Sequence, residues 1–256
     1  MCLIAFAWQA HADYPLVVAG NRDEFFARPT APADWWADAP MLAGRDLRAG
    51  GTWMGVTRAG RFAALTNYRD PASQRADAPS RGSLVGDFLT RAATPSVALE
   101  SLASDAPRFN AFNLMAAQWT GEKTGLWIVS GSEVNAIEPG VHALSNARLD
   151  TPWPKVDFAI ERMREALAST TDRDGLIDRL SAMLDDRTIA ADALLPRTGI
   201  ALDTERALSA PFIRMPGYGT RASTVLIVDR TGHATFIERR CEPDEPIDER
   251  RFDFNT

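Results

Sequence analysis

The chain has 256 residues, 45% of them apolar, enough to fill the core of one large domain or two small ones. Its formal charge of −6 and pI near 5.2 argue against a nucleic-acid surface, which needs basic clustering, and do not favour an anionic membrane. Two cysteines, Cys2 and Cys241, are too few for a disulfide framework and point to a reducing compartment, with the cytoplasm as the expected location.

The first eight residues, from Met1 to Trp8, are apolar but lack a basic n-region, and Gln9, His11 and Asp13 cut them short. That makes a poor signal peptide. No stretch approaches the roughly 20 apolar residues that cross a bilayer. Residues 2–8 and 16–20 read as two strands joined by the turn-like Ala10-His11-Ala12-Asp13-Tyr14-Pro15, a hairpin. Residues 25–50 carry prolines, a glycine pair and Trp35-Trp36, and read as a long irregular loop. Residues 52–57 and 62–67 form the clearest hairpin, around Arg58-Ala59-Gly60-Arg61.

Two helices follow. Ser80 caps the first, with Leu84, Val85, Phe88 and Leu89 on one face, and Thr94-Pro95 opens the second. Residues 112–119, 124–129 and 141–146 read as strands, the first two joined by Thr120-Gly121-Glu122-Lys123. Val156, Ile160, Met163 and Leu167 have helical spacing, as do Leu176, Ile177, Leu180, Met183 and Leu184. Residues 224–229 and 234–239 close the chain as strands around Arg230-Thr231-Gly232-His233. Antiparallel hairpins with helices in separate blocks predict an α+β fold, two sheets covered by helices. With no repeat and no linker, residues 1–256 read as a single domain.

A hairpin fixes which residues oppose each other. With a turn near Ala12, residue i lies opposite about 24 − i. Cys2 then faces Arg22, with Asp23 and Glu24 just beyond. A cation lowers a thiol pKa toward thiolate. Removal of Met1 would give Cys2 a free α-amine, a general base for its own thiol, and Asp23 could hold that amine. Two readings stand: a nucleophile with its base, or a small apolar strand residue beside a solvated turn. Asn67 and Asn146 both end apolar strands. Each is either an oxyanion donor or a turn cap.

Several alternatives are weaker. His11, His142 and His233 lack metal-ligand spacing. Trp35, Trp36 and Trp53 are either core or the wall of an apolar pocket. Gly50-Gly51 lacks the Lys and helix of a phosphate loop.

Met1-Cys2-Leu3-Ile4, then Gly20-Asn21-Arg22-Asp23-Glu24-Phe25-Phe26-Ala27-Arg28-Pro29, Gly50-Gly51-Thr52-Trp53-Met54-Gly55 and Leu65-Thr66-Asn67-Tyr68-Arg69 resemble the NRDE family. This is also called the transport and Golgi organisation family. The match continues through Leu144-Ser145-Asn146 and Tyr218-Gly219-Thr220-Arg221. More distantly the chain resembles the cysteine N-terminal-nucleophile (Ntn) hydrolases that include penicillin V acylase and bile salt hydrolase. That resemblance implies a four-layer αββα sandwich with two mainly antiparallel sheets. It implies Cys2 as nucleophile, Asp23 as amine partner, Asn67 and Asn146 near the oxyanion, and Arg221 as a second arginine. Matching Asp23 leaves Gly20 where the acylases carry an arginine. The implied activity is hydrolysis of a linear amide or acyl bond in a small molecule, with no cofactor required. The family also implies an alternative: a non-catalytic protein that handles haem or an acyl-CoA-like lipid ligand. Cys2, His142 or a Met would then be the haem ligand.

Overall fold

A computed structural model describes residues 2–120, 124–170, 172–243 and 247–256. In chain order the strands begin with β1 (Cys2–Trp8), β2 (Leu16–Phe25), β3 (Thr30–Trp35), β4 (Leu42–Asp46), β5 (Met54–Val56) and β6 (Arg61–Asn67). Helices α1 (Gly82–Thr90) and α2 (Pro95–Asp105) follow, then β7 (Phe112–Gln118), β8 (Gly125–Ser130), β9 (Glu133–Ala136) and β10 (Gly140–Leu144). Next come α3 (Pro154–Ser169), α4 (Arg173–Leu184) and α5 (Leu202–Leu208). The chain ends with β11 (Arg214–Met215), β12 (Tyr218–Val228), β13 (His233–Arg240) and β14 (Asp248–Asn255). The fold is therefore α+β, with two antiparallel sheets as expected. None of the described helices is long and apolar enough to cross a membrane.

The chain divides into two compact units. The first comprises the residues up to Ala27 together with Pro139–Asp253. Its sheet runs β10-β1-β2-β12-β13-β14, with β11 beside β12. The first hairpin has the predicted register, from Cys2 opposite Arg22 to Trp8 opposite Leu16. β1 is buried along its whole length, so it lacks the alternation of a half-exposed strand. Leu3, Ala5, Ala7, Val17 and Ala19 share one core with Val156, Ala159 and Met163 of α3 and Leu176, Leu180 and Leu184 of α4. Each large apolar side chain sealed there contributes about 1.5–3 kcal/mol. Side chains alternate along a strand, so Cys2 and Arg22 project from the face opposite these helices.

The second unit comprises Arg28–Glu138 with Phe254–Thr256. Its sheet follows chain order from β3 to β9. Leu84, Val85, Phe88 and Leu89 of α1 form a core with Leu99 and Leu102 of α2 and with Ala63, Leu65, Leu114 and Ala116 of the sheet. The helix begins at Gly82 with Arg81 at its N-cap rather than Ser80, although the Ser80 hydroxyl still accepts from the Gly82 amide at 3.4 Å.

One expectation is corrected here. Residues 25–50 are not a loop: they contain β3 and β4, paired from Thr30–Asp46 to Trp35–Leu42. Pro32 is tolerated because β3 is an edge strand and the register slips between Ala31 and Asp34. The turn at residues 120–123 lies largely outside the described residues, as does Met1.

Candidate active site

Cys2 lies in β1 with β2 on one side and β10 on the other. Arg22 is its direct partner across the β1–β2 pair. On the other flank Ile4 pairs with Leu144. Beyond that pair β10 ends, and the chain continues into Ser145 and Asn146. The Ser145 hydroxyl donates to the Cys2 carbonyl at 3.1 Å and sits 3.3 Å from the Asn146 side-chain oxygen. Ser145 and Asn146 are both buried. Arg22 is thus the cross-strand neighbour of Cys2, and Ser145 ties the segment that carries Asn146 to the Cys2 carbonyl.

Cys2 itself is 8% exposed. Burial pushes its thiol up, while Arg22 and the Asp23 main-chain amide pull the other way. The net direction is upward, so the resting group is a neutral thiol. Such a thiol needs a base at the moment of attack.

The four residues Asn21 to Glu24 divide between the two faces of β2. Arg22 is on the Cys2 face, with its guanidinium 3.6 Å from Glu24. Asn21 and Asp23 are on the helix face. Asn21 donates to the carbonyls of Leu184 and Pro211 at 2.8 and 3.0 Å. Asp23 accepts from the Thr220 hydroxyl at 2.7 Å. Burial pushes the Asp23 carboxyl up, and the positive charge of Lys155 offsets part of that.

Arg221 is the extra residue of a bulge in β12, between Thr220 opposite Asp23 and Ala222 opposite Arg22. Its guanidinium is paired with Glu242 and donates to the Phe25 carbonyl. Five of the six predicted site residues therefore belong to the first unit. Asn67 belongs to the second, where it ends β6 opposite Phe112.

Two further residues join the cluster. Burial, then the charges of Asp23 and Cys2, push the Tyr218 phenol up. Tyr218 pairs with Phe25 at the end of β2 and meets its ring edge-on at 5.1 Å. It lies in the Tyr-Gly-Thr-Arg segment that carried the resemblance, which was the signal for it. Lys155 is 2% exposed in the first turn of α3. The signal there was a lysine adjoining the apolar stripe that begins at Val156. Among the described residues no group of three His, Cys, Asp or Glu side chains could hold a metal ion.

Asp23 and Lys155 are both buried, and the lysine charge favours the carboxylate, so removing either alone takes a compensating charge from the other. Lys155→Met and Asp23→Asn are each expected to cost about 2–3 kcal/mol in urea unfolding. The double variant is expected to cost at least ~1 kcal/mol less than the sum. Simple additivity would refute the pairing. The pH dependence has a definite sign. Asp23 holds its proton more tightly folded than unfolded, so its contribution to stability falls as pH rises past the ordinary value of 3.8. That fall is expected to be steeper in Lys155→Met.

Comparison with known proteins agrees with this architecture. Residues 1–243 match the family model "TANGO2: Transport and Golgi organisation 2". The chain is 36% identical over 267 aligned positions to the Transport and Golgi organization protein 2 homolog of Bos taurus, covering 96% of this chain and 95% of that one. The Homo sapiens homolog is 35% identical over 260 positions, covering 93% and 92%. Among solved structures, a Caenorhabditis elegans N-acylethanolamine-hydrolyzing acid amidase ortholog superposes with a TM-score of 0.52 at 12% identity, covering 88% of this chain and 92% of that one. At that identity the likeness speaks for the Ntn-hydrolase-like fold alone. By the family match and by the length and identity of its relatives, the chain belongs to the Transport and Golgi organisation 2 family.

Proposed function

We propose that the protein is an N-terminal-cysteine hydrolase that cleaves a linear amide or related acyl bond of a small molecule. The observation that carries this reading is the register that sets Cys2 opposite Arg22, with Ser145, the neighbour of Asn146, bonded to the Cys2 carbonyl. Excision of Met1 turns the Cys2 nitrogen into an amine. The amine takes the thiol proton as sulfur attacks the carbonyl carbon. Negative charge develops on the carbonyl oxygen, where the Asn146 carboxamide can donate to it. Collapse breaks the C–N bond, and the ammonium returns its proton to the leaving amine. Water, deprotonated by the same amine, then hydrolyses the thioester and frees the thiol. A neutral resting thiol suits this sequence, since proton and sulfur move together. The structural relative from Caenorhabditis elegans is named for hydrolysing N-acylethanolamines, which are linear amides.

The test uses protein whose intact mass lacks Met1. An electrophilic acyl probe is expected to label Cys2, and Cys2→Ala to stay unlabelled with no turnover. Asn146→Ala is expected to slow acylation about 100-fold. Labelling that persists in Cys2→Ala, or a mature chain that retains Met1, would overturn the reading.

A second reading, a non-catalytic haem or acyl-CoA-like carrier, draws on the burial of the thiol, which favours a resting role. Titration with haem followed by absorbance separates the two. A saturable signal lost in Cys2→Ala supports the carrier, and an unsaturable one counts against it.

A further inference from the structure

The second unit contains a cavity of about 610 Å³ that none of the thiol-site residues lines. That volume lies within the range of small-molecule sites. Trp35 at the end of β3 and Trp36 just after it, with Leu89 of α1, supply flat and apolar wall. Arg58, Arg61 and Arg91 add three guanidinium groups, and among the described residues no carboxylate lines the cavity. This positive concavity occurs in a chain whose formal charge is −6. A random sampling of such a surface would meet acids more often than bases.

The three arginines differ in their commitments. Arg61 is spent on structure: it donates to Gln118 and to the carbonyls of Phe88, Arg91 and Ala93. Arg91 donates to the Ser101 hydroxyl at 2.7 Å. Arg58 has neither hydrogen bond nor ion pair among the described residues. Its guanidinium lies 4.3 Å above the Trp35 ring and 5.6 Å from that of Phe254. Trp35 and Phe254 brace each other edge-to-face at 5.2 Å. Stacking uses the face of a guanidinium and leaves the N–H donors at its edge available. Those donors match the two oxygens of a carboxylate.

From this we infer that the cavity is a binding site for a compact aromatic carboxylate, its ring against Trp35 and Trp36 and its carboxylate on Arg58. The site stands apart from the proposed hydrolysis, because it uses no group of the thiol cluster.

The probe is 1-naphthaleneacetate, titrated into the full chain by calorimetry, with 2-(1-naphthyl)ethanol as its neutral match. Saturable one-to-one binding of the acid is expected, with the alcohol weaker by about tenfold or more. Arg58→Gln is expected to weaken the acid to the level of the alcohol. Because Arg58 is exposed and forms no hydrogen bond among the described residues, this variant keeps the melting temperature of the parent, which is checked alongside. Trp35→Leu weakens acid and alcohol together, and Cys2→Ala changes neither. The inference is overturned if the acid does not saturate at millimolar concentration. It is equally overturned if alcohol and acid bind alike, if Arg58→Gln binds as the parent does, or if Cys2→Ala abolishes binding. The last outcome would assign the probe to the thiol site and leave the hydrolase reading untouched.

Discussion

Glu242→Ala is expected to lower the unfolding free energy by about 4 kcal/mol, while Arg240→Ala, on the same carboxylate, costs about 0.5 kcal/mol or less. The difference follows from exposure. Arg221 is 4% exposed and Glu242 9%, whereas Arg240, 3.3 Å from Glu242, is 34% exposed. Without Glu242 the Arg221 guanidinium keeps the Phe25 carbonyl and loses the Glu242 charge inside the protein. Losing Arg240 removes one exposed charge that water replaces. Glu242→Gln, which keeps an acceptor without the charge, should fall between. Urea unfolding at constant m-value reads all three. Equal costs for Glu242→Ala and Arg240→Ala would refute the buried pair. The consequence for the site is indirect. Arg221 ties its bulge to the end of β2, two residues beyond Asp23, so it acts as a positioning residue.

The hairpin of β1 and β2 was legible in the sequence because its determinants are local. A short turn between two apolar runs leaves one register, and that register opposes Cys2 to Arg22. The helical stripes were legible for the same reason. What escaped was set by tertiary context. β3 contains Pro32 and lies at a sheet edge, where a missing amide costs little, so its composition resembles a loop. β14 reads Asp-Glu-Arg-Arg-Phe-Asp-Phe-Asn, and its charges suit the edge it occupies. The nearness of Lys155 to Asp23 depends on how α3 packs on its sheet, which no local pattern encodes.

The block Asn21 to Glu24 joins these two lessons. Its sequence suggests one polar cluster, but strand alternation separates its members. Arg22 is directed to the thiol and Asp23 to a buried carboxyl site. Asn21 then serves the fold, and its partners are 163 and 190 residues away in sequence, beyond any motif. Leu184 is the last residue of α4, where a helix leaves its carbonyls without internal partners. Asn21 satisfies that carbonyl and the one at Pro211, and its own oxygen accepts from the Ser223 hydroxyl at 2.6 Å.

Asn21→Ala is therefore expected to destabilise by about 4 kcal/mol. It removes the Asn21 partner from three buried polar groups at ~1–3 kcal/mol each, partly relieved by relaxation and by the Cys241 sulfur near the Ser223 hydroxyl. Asn21→Asp should cost at least as much despite its equal size. It turns an oxygen toward two carbonyl oxygens where a donor is required. Asn21→Leu fills the volume but leaves the same groups unsatisfied, so it should not rescue. Hydrogen exchange locates the effect: the last turn of α4 should lose protection before β1 and β2 do. Uniform loss of protection, or a stable Asn21→Leu, would mean that volume and not hydrogen bonding holds α4 to the sheet. If the clamp fails first, the Cys2–Arg22 register survives it. Fold and chemistry would then be separable within these four residues.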